Sequence, residues 1–229
     1  MTTVFNLVLK RITKQKLTLL LITIFPLVVL VIPKPADFET PLISYGLIGL
    51  VLFFSAFLFS KQIIDDRQYK TIVRIAASPL SHRDYLLGHM LAYLVILMLQ
   101  TTVFSFLGYF RWQGEVSFYL YGYVSLFFFN IMAISFSLFW HTFFKRYGTS
   151  IAIFSIAVNV MSLLGGLSFP LRFIPDNIKI ISLVLPTYWY AYSLEEITNK
   201  DYFNAMMALL ILLGFAIIFL TIGSKRRFE

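Results

Sequence analysis

Three histidines, His82, His89 and His141, and eleven acidic residues are the side chains of this 229-residue chain with the acid–base or metal-binding chemistry of a catalytic centre. The histidines form no pair at metal-ligand spacing and no H-E-x-x-H run, so each reads as an interfacial polar residue and no metal site is expected. Cysteine is absent, which removes thiolate metal sites, disulfides and a thiol nucleophile, and leaves the redox compartment undetermined. No G-x-x-x-x-G-K-[ST] cradle occurs, so any ATP must be bound by another polypeptide. All eleven acidic residues fall outside the long apolar runs, whereas intramembrane catalysis or proton coupling places ionisable groups inside them. The chain is expected to hold no catalytic residue and no cofactor of its own.

The elements that carry these side chains are dictated by composition. Hydrophobic residues make up 59% of the chain and charged residues 13%, with a mean hydropathy of +0.82, against about 25% charged for a soluble domain. Lipid must be the solvent for most of this surface. Apolar runs long enough to cross a bilayer occur at about 17–33, 42–60, 86–109, 116–140, 149–168 and 203–223. The expected fold is all-α and polytopic, with six transmembrane helices in a single domain. If the N-terminus is cytoplasmic, fourteen of the nineteen Lys and Arg fall on the inner side and five on the outer, which places both termini inside. The net charge of +8 is then a topology signal and an attraction to anionic lipid, not a nucleic-acid footprint. Pro33-Lys34-Pro35-Ala36-Asp37 offers no small-x-small cleavage site after the first run, so that run is read as a retained helix, kinked at Pro26.

Three polar or broken stretches stand out. Residues 2–16 read as an amphipathic helix in the inner membrane surface, with Phe5, Val8, Leu9 and Ile12 on one face and Lys10, Arg11 and Lys14 on the other. A merely basic flank is the alternative. Residues 65–78 read as a short helix, with Tyr69, Ile72, Val73 and Ala76 opposite Arg67, Lys70 and Arg74, and Asp66 placed to pair with Lys70. Ser78-Pro79 ends it, and Ser81 with Asp84 caps the next span. Such an elbow suits reception of force from a soluble partner; a solvated loop is the bland alternative. On the outer side, Gly165-Gly166 breaks the fifth span. The apolar stretch 169–192 then carries Pro170, Pro175 and Pro186, with Asp176 or Asn177 capping one short helix and Thr187 another. Backbone broken at this depth must be covered by protein or line a cavity, which points to a re-entrant cap over a pathway.

Polar residues within the spans, among them Gln100, Asn130 and Asn159, are expected chiefly to tie helices together. Tyr119, Tyr121 and Tyr123 read as an interfacial belt. Phe53 and Phe57, one helical turn apart, either line an apolar slot or pack in the core.

Two stretches resemble the membrane subunits of type 2 ABC exporters. The first, DRQYKTIVRIAASPLSHRDYLLG, supplies Asp66, Thr71, Ile72, Arg74, Ser78, Pro79, Tyr85 and Gly88 at the positions of that family's inner-loop pattern. The second, GGLSFPLRFIPDNIKIISLVLPTYW, is similar to its outer segment of Gly-Gly, Phe-Pro, a further Pro and a last Pro before aromatics. The chain departs in having Asp66 where Glu is common, Gln68 for a second acidic residue and Lys70 for Gly. The resemblance implies a bacterial plasma-membrane permease that works with two copies of an ABC ATPase subunit, which bind ATP and Mg, and with a second permease of the same or a different sequence. It implies that Asp66, Arg67, Lys70, Thr71, Arg74 and Pro79 couple to the ATPase. Phe53, Phe57, Asn159 and Leu163 would line the substrate pathway, and Gly165, Gly166, Phe169, Pro170, Pro175, Pro186 and Trp189 the outer cap. The cargo implied is a drug, antimicrobial peptide or glycolipid. A lipid-acting enzyme using His89 or His141, and a scaffold or sensor without transport, are the competing readings.

Overall fold

The computed structural model describes residues 2–14, 24, 27–31, 40–69, 82–112 and 115–225, and among these every regular element is helical. The helices are α1 (Thr2–Lys14), α2 (Thr40–Gln68), α3 (His82–Trp112), α4 (Val116–His141), α5 (Tyr147–Leu164), α6 (Asp176–Ser182), α7 (Pro186–Thr198) and α8 (Tyr202–Lys225), with a single 3₁₀ turn at Leu171–Phe173. Five of them, α2, α3, α4, α5 and α8, are long and apolar enough to cross a membrane. The first apolar run, 17–33, lies largely outside the described residues; within it 27–31 is helical, and Val29 and Leu30 join the core.

These helices are apolar around most of their circumference, so burial decides which ones are central. Within the spanning windows of α2 and α4, 67% of residues are buried, against 39% for α3 and 28% each for α5 and α8. The fold is therefore a bundle around α2 and α4. Small residues permit the close approaches: a Cβ at Gly49 would lie 2.7 Å from the Tyr190 ring, and one at Gly122 2.7 Å from Tyr45. Polar side chains cross-link the bundle, Asn130 Nδ2 donating to Thr101 Oγ1 at 3.0 Å and Tyr45 OH to Ser105 Oγ at 3.2 Å.

Several boundaries differ from the sequence reading. α2 does not stop near residue 60 but continues unbroken through Gln68, so Asp65 to Gln68 are its last turn and not the start of a separate helix. The remainder of the expected 65–78 helix, including Lys70, Thr71, Arg74 and Pro79, lies outside the described residues, as does Ser81. α5 ends at Leu164, four residues early, because the backbone turns at Gly165-Gly166. Neither Asp176 nor Thr187 caps a helix: Pro175 and Leu185 hold those positions without side-chain bonds, and the Thr187 hydroxyl is engaged elsewhere. Tyr119 is buried and bonded to the Gly108 carbonyl, while Tyr121 stacks on Tyr202 with ring centroids 4.3 Å apart.

α1 packs along α3, with Val8 and Ile12 fully buried, while Leu7 and Lys10 are exposed. The last turns of α8 lie beside the end of α4, Gly223 packing against Phe139. α1 and the last turns of α8 therefore sit at the same end of the bundle as Lys61, Lys145 and Arg146.

Candidate functional site: an ion-paired joint and a hydroxyl-clipped cap

Asp66 lies on the last turn of α2 and is 4% exposed. A carboxylate so placed must be paired and hydrogen-bonded to remain ionised at acceptable cost. Arg11 of α1 donates from Nη1 to Oδ1 at 2.8 Å, and Tyr85 of α3 donates its hydroxyl to Oδ2 at 2.7 Å. One carboxylate thus binds three helices. On the other side of the same helix end, Gln68 Nε2 donates to the Lys145 carbonyl at 3.1 Å, and the Lys61 ammonium stands 4.9 Å from the centre of the Tyr147 ring. The end of α2 is fastened to α1 and α3 through Asp66 and to the α4–α5 connection through Gln68 and Lys61. Residues 70–81 follow this helix end in sequence. Arg67 follows Asp66 within the helix.

Phe53 and Phe57, offered above as slot or core, are core. Both are fully buried. Phe57 stacks on Phe154 of α5 at 3.9 Å and packs on His141 at 4.5 Å, while Phe53 meets Phe129, Phe136 and Phe154 edge-on. Asn159 and Leu163 project from the opposite face of α5, where Ile153, Ile156 and Val160 are also exposed. Within one chain the four residues do not form a slot, because Phe154 and Val158 turn the inner face of α5 to the phenylalanines and leave Asn159 outside. Among the described residues Asn159 Nδ2 bonds its own helix, at the Ser155 carbonyl.

At the far end, α5 terminates in a Schellman turn. The Gly165 N–H bonds the Met161 carbonyl, the Leu167 N–H bonds the Ser162 carbonyl, and Gly166 takes φ +81°, where a side chain is strained. A Cβ on Gly166 would also collide with Leu171. Hydroxyls of the cap add to these bonds, one as a second donor to the Met161 carbonyl and one at the Leu164 carbonyl. Thr187 Oγ1 donates to Met161 O at 2.7 Å and Ser182 Oγ to Leu164 O, while Ser162 and Ser168 pair at 2.7 Å. Tyr190 OH reaches Tyr45 O at 2.8 Å and fixes α7 to α2. Of the expected cap residues, Pro170 is buried beneath the 3₁₀ turn, Pro186 begins α7, and Trp189 donates Nε1–H to the Leu183 carbonyl at 2.9 Å. Phe169 and Pro175 face outward. Leu42, Gly46, Gly166, Leu171 and Glu195 line a shallow cleft here. Burial raises the Glu195 carboxyl above its ordinary range, opposed by hydrogen bonds from the Arg172 and Leu171 backbone.

Sequence reasoning missed Arg11 and Tyr85 as partners of Asp66, and the hydroxyls of Ser162, Ser182 and Thr187 as clips. The available signal for the first was a carboxylate ending a long apolar helix. His141 is enclosed, its Nε2 3.2 Å from Phe57 O and its Nδ1 3.3 Å from Ser150 Oγ, and His89 is 1% exposed, so neither reaches a lipid substrate. Among the described residues no His, Asp or Glu cluster could hold a metal ion.

Four outcomes follow from this geometry. Asp66→Asn weakens the Arg11 bond and lowers stability by about 2 kcal/mol, below the usual value for a broken buried pair because Arg11 is partly solvated, while Tyr85→Phe costs about 1 kcal/mol; thermal unfolding in detergent measures both. Phe57→Ala destabilises by about 3–5 kcal/mol, as a core deletion does, whereas a slot residue would alter cargo preference with the unfolding temperature unchanged. Gly166→Ala costs about 1–3 kcal/mol through its positive φ, read by the same unfolding assay.

No curated protein matches the chain. The family model described as ABC-2 family transporter protein matches residues 8–225, which takes in α2 to α8 and the latter half of α1. With five apolar helices of spanning length and a match over nearly its whole extent, the chain belongs to the ABC-2 family of transporter membrane proteins.

Proposed function

We propose that this chain is the permease subunit of an ABC exporter in a bacterial plasma membrane, moving an amphipathic or lipid-like cargo such as a drug, antimicrobial peptide or glycolipid. ATP and Mg are bound by a separate ATPase subunit, two copies of which serve a pair of permeases. The basic end faces the cytoplasm, in keeping with the excess of Lys and Arg there. The observation that carries the reading is the Asp66 joint. Segment 70–81 departs from a point where one buried carboxylate fastens three helices, so a force applied to Lys70, Thr71, Arg74 or Pro79 is delivered to α1, α2 and α3 together. The outward face of α5 supports pairing. A polar amide exposed among Ile153, Ile156, Val160 and Leu163 is poorly suited to lipid and suited to a facing permease, where Asn159 and Leu163 would border a central pathway. The burial of His89 and His141 disfavours the lipid-enzyme alternative.

Arg74→Glu reverses the charge at one position of segment 70–81 and cancels the segment's net positive charge. The expected result, on mild detergent purification of the tagged chain from its native membrane, is an unchanged unfolding temperature with loss of the co-purifying ATPase and its activity. Normal ATP-driven export by that variant would overturn the assignment.

A further inference from the structure

α3 carries a polar side chain at nearly every fourth position along one ridge: Tyr85, His89, Tyr93, then Leu97, then Thr101, Ser105 and Tyr109. Residues four apart line the ridges by which helices pack. Three of these rungs are paired across the bundle, Tyr85 with Asp66, Thr101 with Asn130, and Ser105 with Tyr45. Others are not. Both ring nitrogens of His89, the Tyr93 hydroxyl, the whole Gln62 amide and Asn130 Oδ1 are buried with no hydrogen-bond partner among the described residues. Gln62 is 3% exposed, His89 1% and Tyr93 0%.

The register explains which orphans face each other. α2 and α3 are antiparallel, Asp66 opposes Tyr85, and the Phe59 ring stacks on Tyr93 at 6.0 Å. Gln62, four residues before Asp66, therefore faces His89, four residues after Tyr85. Neither bonds the other. Moving α3 by one rung offers partners to one ring nitrogen of His89, to the Tyr93 hydroxyl and to one end of the Gln62 amide. His89 takes the place of Tyr85 at Asp66 Oδ2, leaving Oδ1 to Arg11. Tyr93 takes the place of His89 opposite Gln62, Ser105 replaces Thr101 at Asn130, and Tyr109 comes opposite Tyr45.

We propose that α3 has a second register against α2 and α4, one helical turn from the observed one, in which His89 pairs with Asp66, Tyr93 with Gln62 and Ser105 with Asn130. Four residues of helix correspond to a stroke of about 6 Å, and one-turn ratchets of this kind are an established form of switch between packed elements. The unpartnered groups of the observed state are the contacts of the other state. The stroke moves the start of α3 relative to the end of α2, the two helix ends that residues 70–81 join in sequence.

The absence of native cysteine makes the register directly measurable. In the full-length chain in its native membrane, the pair Phe59→Cys with Tyr93→Cys reports the observed register under oxidative cross-linking. Phe59→Cys with Leu97→Cys reports the shifted one. Adding Tyr85→Phe to the 59/97 pair removes a bond found only in the observed register, and is expected to raise the cross-linked product about fivefold, the population change that one ordinary hydrogen bond carries. Adding His89→Leu removes a bond found only in the shifted register and is expected to bring the 59/97 product to background. A 59/93 cross-link together with a 59/97 product that neither variant changes, or that never forms, would overturn the proposal; an ordered water held between Gln62 and His89 would give that result. The measurement needs no ATPase, so it succeeds or fails independently of the transport reading.

Discussion

The constraint on which the structure depends is the placement of one carboxylate. Asp66 lies in the last turn of a long, mostly apolar helix, and its burial leaves little water to solvate the charge. In such surroundings an unpaired carboxylate is far costlier than the loss of chain entropy needed to bring partners to it. Arg11 and Tyr85 are therefore drawn in from α1 and α3. This makes α1 more than an amphipathic helix lying on a bilayer. Its position is fixed by a charge-assisted bond to the core helix, as well as by the packing of Val8 and Ile12.

The opposite end of the bundle solves the same problem without charge. Ending α5 inside the protein leaves carbonyls that water cannot reach; Ser182 satisfies that of Leu164, and Thr187 adds a second donor to that of Met161. Gly166 lets the chain reverse tightly enough for these hydroxyls to arrive, and Tyr190 then locks α7 to the Tyr45 carbonyl on α2. The two ends communicate through α2 and α5, which are keyed together by the stack of Phe57 on Phe154. A displacement of α2 at Asp66 is accordingly felt at α5 and at the cap by direct packing, not by a chain of weak contacts.

The sequence made the helical class and the spans readable because a bilayer permits little else: residues 42–60, 86–109, 116–140 and 203–223 each fall within a helix. The Gly165-Gly166 break was readable for the same reason, since only a special backbone turn warrants two glycines there. What periodicity could not show was the rotation of each helix. Phe53, Phe57, Asn159 and Leu163 were grouped by type and depth, yet α5 presents Phe154 inward and Asn159 outward. A helix apolar on all sides has little hydrophobic asymmetry to reveal which face is core. Thr187 was misjudged on similar grounds. A threonine after a proline fits a local cap, and only the tertiary approach of Met161 O gives its hydroxyl a better acceptor. Arg11 and Asp66, fifty-five residues apart, are joined by nothing local at all.

Polar satisfaction also separates the fixed part of the molecule from the part free to move. At the cap, the hydroxyls of Ser162, Ser182, Thr187 and Tyr190 are all engaged, and the glycines leave no slack. Any displacement there breaks several bonds and gains none. At the α2–α3 seam the opposite holds: Gln62, His89 and Tyr93 are enclosed with no hydrogen-bond partner among the described residues, so a shift there has groups to satisfy. A protein that satisfied every group at both ends would be stiff throughout. Concentrating the deficit at the α2–α3 seam, next to the Asp66 joint, is what the proposed second register of α3 would draw on, whereas the cap has one packing that satisfies its hydroxyls.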